Sequence, residues 1–256
     1  MEARLWQRAL AEFIGTFALI FIGVLAIVAA GASGAPVEGA GLVNVALAHG
    51  LVIAVMVAAL SAVSGGHFNP AITLGFVVTG RMDVGKGVVY WLAQIVGAVV
   101  AALVLAAMIG AGTVGDGTPA LAETVTPGLG IGLEAITTFF LVLVVFGTAV
   151  DERAPKSLFP FAIGLTIALD IMAIGPLTGG AVNPARSFGP ALVSGAWDNQ
   201  LVYWVGPLLG GALAGLVMHF LLMERVQAPR VAERGGPAPG EEREAGLRRP
   251  PRKAAD

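Results

Sequence analysis

The tripeptide Asn-Pro-Ala occurs twice, at Asn69-Pro70-Ala71 and Asn183-Pro184-Ala185, in a chain that is otherwise a series of apolar runs. Each copy follows a Gly-Gly pair, in Ser64-Gly65-Gly66-His67-Phe68 and in Thr178-Gly179-Gly180-Ala181-Val182. Asn is a strong helix N-cap, and Pro is favoured at the first helical position, where its missing N–H costs nothing. Each tripeptide therefore predicts a helix start. Apolar sequence continues to near Val78 and Val193, roughly 15 Å or half a bilayer. Broken helices at matching places in two halves point to a site near the membrane midplane.

Composition demands a bilayer. Of 256 residues 56% are hydrophobic, only 12% are charged and 36 are Gly, against a usual Gly share of ~7%. Glycine is enriched where transmembrane helices approach closely. Six apolar runs, at 10–30, 42–62, 87–110, 129–150, 158–176 and 201–223, are each long enough to cross a core of about 30 Å. A soluble α/β protein would need charged faces between such runs, and these are missing. The expected fold is an all-α membrane protein with six transmembrane helices and two re-entrant half-helices over residues 1–223. Residues 224–256 hold 8 basic and 6 acidic side chains with 5 Pro. They bury too little apolar surface to fold alone, which predicts a disordered cytoplasmic tail.

Charge placement sets the orientation. Lys and Arg outside the spans fall at Arg4 and Arg8, Arg81 and Lys86, Arg153 and Lys156, and in the tail. The alternate connections, 31–41 and 111–128, carry Glu38, Asp116 and Glu123 but no basic residue. The positive-inside rule puts both termini in the cytoplasm. Arg186 alone breaks the pattern, which marks it for a task on the outer side. The first run is too long for a cleavable signal peptide, and Glu12 interrupts it. Richness in Ala, Gly and Arg with short loops points to a bacterial cell membrane. With no cysteine, disulfides, Cys–metal sites and thiol regulation are excluded.

The halves are copies. Ala11-Glu12-Phe13-Ile14-Gly15-Thr16-Phe17 resembles Leu133-Glu134-Ala135-Ile136-Thr137-Thr138-Phe139, the two Asn-Pro-Ala boxes match, and Tyr90-Trp91 with Gly97 matches Tyr203-Trp204 with Gly210. Three anchors in one order indicate duplication. Each half (about 5–110 and 129–223) has three spans, so the second enters from the opposite side, giving inverted 3+3 repeats. Inversion brings the two half-helix N-termini face to face, each with about +0.5 charge. Each Asn oxygen is spent on capping, which leaves its NH2 for the lumen. A neutral molecule with a lone pair is accepted there and cations meet a barrier.

These residues resemble the aquaporin (major intrinsic protein) family along nearly all of 5–223, with both boxes intact and Arg186 after the second. The stretch Ile171–Leu192 is similar to the plant tonoplast intrinsic proteins. The resemblance implies a pore within each subunit, a homotetramer, and a narrow outer ring at His49, Ile171, Gly180 and Arg186. Strict water channels of the family carry Phe and His at the first two positions; glycerol facilitators carry Trp and a small residue. The ring here looks like the tonoplast type associated with water plus ammonia. The connection 111–128 lacks the His of ammonia-conducting members, and Ser187, Ala191, Tyr203 and Trp204 resemble the water-channel pattern.

Glu12 and Glu134 lie inside spans, where a charge is costly and faces a cavity or interior; they are expected to accept hydrogen bonds from the re-entrant loops. His67 lines the inner half in relatives, with a packed role and a pH-responsive role both open. His219 reads as a packing residue, and Asp170, beside Ile171, has no account. Three scattered His make no metal cluster, and no nucleophile–base pair or phosphate loop marks an enzyme. No cofactor or nucleic-acid partner is implied. The expected function is a passive channel for water, with ammonia or other small neutral solutes as additions. The alternatives are a glycerol or urea facilitator, a proton-coupled secondary transporter using the buried acids, and a structural protein with an occluded pore.

Overall fold

A computed structural model describes residues 3–32 and 39–223; the tail at 224–256, expected to be disordered, lies outside the described residues. In chain order the helices are α1 (Leu5–Ala32), α2 (Gly39–Ser64), α3 (Pro70–Val78), α4 (Val84–Ile109), α5 (Ala111–Asp116), α6 (Pro127–Val145), α7 (Phe159–Thr178), α8 (Pro184–Ser194) and α9 (Val202–Val217). Among the described residues six are long and apolar enough to cross a membrane, namely α1, α2, α4, α6, α7 and α9. Helices α3 and α8 are the two half-helices. Local sequence accounts for several starts. Asp83 caps α4 through Lys86 N–H, Thr126 caps α6 through Leu129 N–H, and Pro127 and Pro160 sit in first turns.

Two features were not anticipated. Gly-rich residues after α4 form the short helix α5 within the 111–128 connection. Helices α6 and α9 each finish in a π turn, at Phe146–Val150 and Met218–Leu222, closed by Asp151 N–H on Phe146 O and Met223 N–H on Met218 O, both 2.8 Å.

The duplication is visible in the packing. Helix α1 lies on α4 as α6 lies on α9, and α2 meets α7 across the two halves. The close approaches use glycine: a β-carbon at Gly97 would stand 2.5 Å from the Phe13 carbonyl oxygen of α1. The matching Gly210 would run into the Ala135 carbonyl of α6. The half-helices are exchanged between halves. Helix α3 packs on α9, where Gly215 faces the Gly75 carbonyl, and α8 packs on α4, where Gly189 faces Ala98.

Polarity is turned inside out relative to a soluble protein. Leu92, Val96, Leu103, Leu165, Leu169, Leu209 and Leu213 are exposed on the outside, while Glu12, Glu134, Gln94 and Ser187 are fully buried. Such a surface suits lipid, in which all backbone groups must pair internally.

On the face that carries the N-terminus, basic side chains cap the last carbonyls of α6 and α9. Lys156 Nζ donates to Ala149 O (3.0 Å) and Asp151 O (2.6 Å). Arg153 donates to both carboxylate oxygens of Asp151 and, through Nη2, to Leu222 O at 3.2 Å. The Arg153 hydrogen bonds hold the Asp151 carboxyl down at about 2, below its ordinary 3.8. A depressed carboxylate stabilises above its unfolded pKa, and that contribution fades as pH falls through the folded one. Thermal stability in detergent should therefore lose an Asp151-dependent part only between about pH 4 and pH 2. Asp151→Asn should flatten that window. For the core, Gly97→Val or Gly210→Val should cost about 1–3 kcal/mol or more through overpacking, read as a lowered melting temperature; an unchanged value would rule out the close contact.

A candidate pore between two inverted half-helices

Each half-helix starts where its sequence says it should. Asn69 is extended and its Oδ1 accepts from Ala71 N–H at 2.8 Å. Asn183 does the same for Ala185 N–H (3.0 Å) and Arg186 N–H (3.3 Å). Pro70 and Pro184 occupy the first helical positions.

The two amides do not stand free, contrary to the expectation that both NH2 groups are left for the lumen. Asn69 Nδ2 donates to Val182 O at 2.8 Å, and Asn183 Nδ2 donates to Phe68 O at 2.9 Å. The cause is the backbone just before each box. Phe68 (φ 48) and Val182 (φ 43) are left-handed non-glycine residues, a strained conformation that turns each carbonyl toward the opposite amide. Since an amide nitrogen carries two hydrogens, each Asn keeps one N–H. The cross-bonds also fix how the two half-helix N-termini meet.

What holds the strained loops is a pair of buried carboxylates. Glu12 Oε1 accepts from Ser64 Oγ (2.7 Å) and His67 N–H (3.0 Å), and Oε2 from Phe68 N–H (2.6 Å) and Gln94 Nε2 (2.8 Å). Glu134 mirrors it with Thr178 Oγ1 (2.7 Å), Ala181 N–H (2.9 Å) and Val182 N–H (2.7 Å). Tyrosines close each loop from the third span: Tyr90 donates to Ser64 O and Tyr203 to Thr178 O, at 2.6 and 2.9 Å. The mirror breaks at Gln94, whose place in the second half is taken by Pro207. Gln94 also donates to Thr73 Oγ1 (3.1 Å), which lies 3.0 Å from His67 Nδ1. Thr73 in turn donates to Asn69 O. With its one hydrogen so committed, Thr73 receives a hydrogen from His67 Nδ1. His67 is thus packed in a polar network, with Phe76 and Tyr90 against its ring at 4.4 and 5.3 Å.

Toward the opposite face lie the four residues of the expected outer ring, all buried. His49 Nδ1 sits 2.8 Å from Val45 O, and because a carbonyl only accepts, Nδ1 carries the hydrogen and Nε2 the lone pair. A β-carbon on Gly180 would lie 3.2 Å from Ile171 Cα, so these two share one wall. Arg186 Nη1 donates to Gly117 O at 2.9 Å, and its Nε has no protein partner. The Gly117 contact was not legible in the sequence, since it depends on how the connection after α5 folds back. Asp170 is buried with Oδ2 unpartnered, and nothing in the structure explains it. His219 packs edge-on against Phe220 at 4.6 Å. Among the described residues no group of three or more His, Asp or Glu is placed to hold a metal ion.

A family model described as MIP, major intrinsic protein, matches residues 1–218. The chain belongs to the major intrinsic protein family. Similar relatives include Aquaporin TIP4-4 of Zea mays, 47% identical over 222 residues that cover 85% of this chain and 87% of that protein. Probable aquaporin TIP2-2 of Oryza sativa subsp. japonica is 42% identical, covering 86% and 88%. Aquaporin TIP2-3 of Arabidopsis thaliana is 43% identical, covering 88% and 90%. Among solved structures, the X-ray structure of the aquaglyceroporin from Plasmodium falciparum superposes with a TM-score of 0.72, covering 85% of this chain and 97% of that one. At 23% identity this likeness bears on the fold alone. Membership in a channel family also settles that the chain is not an enzyme. The assignment to a bacterial cell membrane is overturned, because these relatives are plant tonoplast-type aquaporins. Composition misled there: Ala and Gly richness follows from close helix packing in a bilayer, whatever the membrane. The multi-pass membrane character stands.

Glu12→Gln should leave an NH2 facing backbone donors, costing about 1–3 kcal/mol for each donor left unpaired. Glu134→Gln should behave alike, both read as a large fall in detergent melting temperature; a neutral result in either would show that the carboxylate does not hold its loop.

Proposed function

We propose that the chain is a passive, bidirectional water channel, with a pore inside each subunit of a homotetramer. One observation carries the reading: two Asn-capped half-helices meet head to head among buried polar groups, inside a bundle whose outer surface is apolar. Each Asn offers one remaining N–H, and both helix N-termini contribute positive potential at the same point. A water passing between them accepts from the amides and turns its own hydrogens away, which interrupts a proton wire. Cations meet the N-termini and the fixed charge of Arg186.

The outer ring supports a wider range than water alone. Ile171 presents carbon and Gly180 presents no side chain, so one wall is apolar and set back, while the His49 imidazole makes a polar part of the ring and Arg186 supplies donors. Small neutral solutes fit this ring as secondary permeants. The lack of His at 111–128 counts against strong ammonia flux, and glycerol or urea would be minor. A proton-coupled transporter is disfavoured because Glu12 and Glu134 already accept four and three hydrogen bonds from the loops and neighbours that they hold.

The test is stopped-flow light scattering on proteoliposomes challenged with water, ammonia, urea and glycerol gradients. Fast, non-saturating water flux independent of a proton gradient is expected; saturable or gradient-coupled flux would overturn the reading. Arg186→Ala should admit larger or charged species, and unchanged selectivity would remove Arg186 from the constriction. His49→Phe combined with Ile171→His should restrict transport to water.

A further inference from the structure

The imidazole of His49 reaches from α2 to α1 and lies against Gly23. A β-carbon at position 23 would strike His49 Nε2 and stand 2.8 and 2.9 Å from Cδ2 and Cε1; these three ring atoms are the closest atoms to that point. The contact is one-sided. Gly23 is buried within α1, where a helix built for stability would carry Ala, because an interior glycine costs about 1 kcal/mol relative to Ala. The ring is pinned at its other end, with Nδ1–H on Val45 O at 2.8 Å. The next residue of α1 supports the other side of the same constriction. Val24 lies against Gly117, where a β-carbon would stand 2.8 Å from Val24 Cγ1, and Gly117 O holds Arg186 Nη1.

We infer that Gly23, which is not one of the four ring positions, is a positioning residue that sets the aperture by providing the recess into which the His49 ring fits. A methyl group there forces the ring off α1. It then loses the Val45 hydrogen bond and swings out of the recess, away from α1. The opening narrows and the ring is re-aimed. The consequence for flux rests on the channel reading above; the placement of the ring does not.

The experiment compares the unaltered protein, Gly23→Ala, and Gly23→Ala with His49→Ala. In proteoliposomes Gly23→Ala should lower water permeability several-fold and abolish passage of larger neutral solutes, and the double variant should regain water flux. Nitrogen-15 spectra of histidine-labelled protein give a second readout that does not depend on transport. The His49 Nδ1–H signal should be displaced in Gly23→Ala while those of His67 and His219 stay in place. If Gly23→Ala does not insert stably but the double variant does, the clash with His49 is still the cause. Unchanged His49 signals, or a double variant no better than the single one, overturn the inference. An unaltered protein that conducts nothing while the His49 signal shifts as described would defeat the channel reading and leave the recess intact.

Discussion

The molecule is organised around two carboxylates that sit where charge is most expensive. Glu12 and Glu134 are fully buried, and each accepts from two backbone N–H groups of a re-entrant loop, with a hydroxyl beside them. Non-helical backbone at this depth survives only where its polar groups are satisfied within the protein or by a wet cavity. The carboxylates supply that satisfaction. They also hold Phe68 and Val182 left-handed, and those two carbonyls then draw the amides of Asn183 and Asn69 across the midplane. Loop, strain, cap and junction form one connected set of hydrogen bonds, so a change at Glu12 is felt at Asn183.

Duplication explains why the set exists twice, and its departures from symmetry show where the halves have taken different tasks. Gln94 ties Glu12 to Thr73 and thereby to His67, while the matching position is Pro207, which has no such reach. On the other side Arg186 and its bond to Gly117 have no counterpart. One half-helix is flanked by a histidine network and the other by a fixed cation, within a frame whose acid, Gly-Gly pair, Asn-Pro-Ala box and tyrosine are repeated.

Much of this was readable in advance. The six spans follow from uninterrupted apolar length, and the observed helices differ from the expected bounds by only a few residues at most ends. The half-helices follow from Asn-Pro, a local signal strong enough to override the surrounding hydrophobicity. The acids at 12 and 134 announce themselves, since nothing but a set of donors makes such a charge tolerable in a span. What could not be read were contacts made between distant parts of the backbone. The Asn amides were expected to be free because the left-handed turn at Phe68 and Val182, neither of them glycine, has no marker in residue type. Gly117 holds Arg186 through a carbonyl, which every residue possesses. Gly23 is one glycine among 36, and only the ring lying over it sets it apart. The error over the kind of membrane has a different origin, because composition records the demands of a bilayer and not its address.

The exchange of half-helices has a consequence for how the chain is made. Helix α3 rests on α9, the last of the six described spans to be made, while α8 rests on α4. The first Asn-Pro-Ala segment is therefore held during most of synthesis only by its own half, through Glu12, Tyr90 and Gln94, and the amide of Asn69 waits for a carbonyl more than a hundred residues downstream. Spans can be threaded into lipid one by one as they emerge. The conduit itself is completed late, so a chain cut short before α9 leaves the first half-helix without the span it rests on, even though that half-helix was made long before the cut.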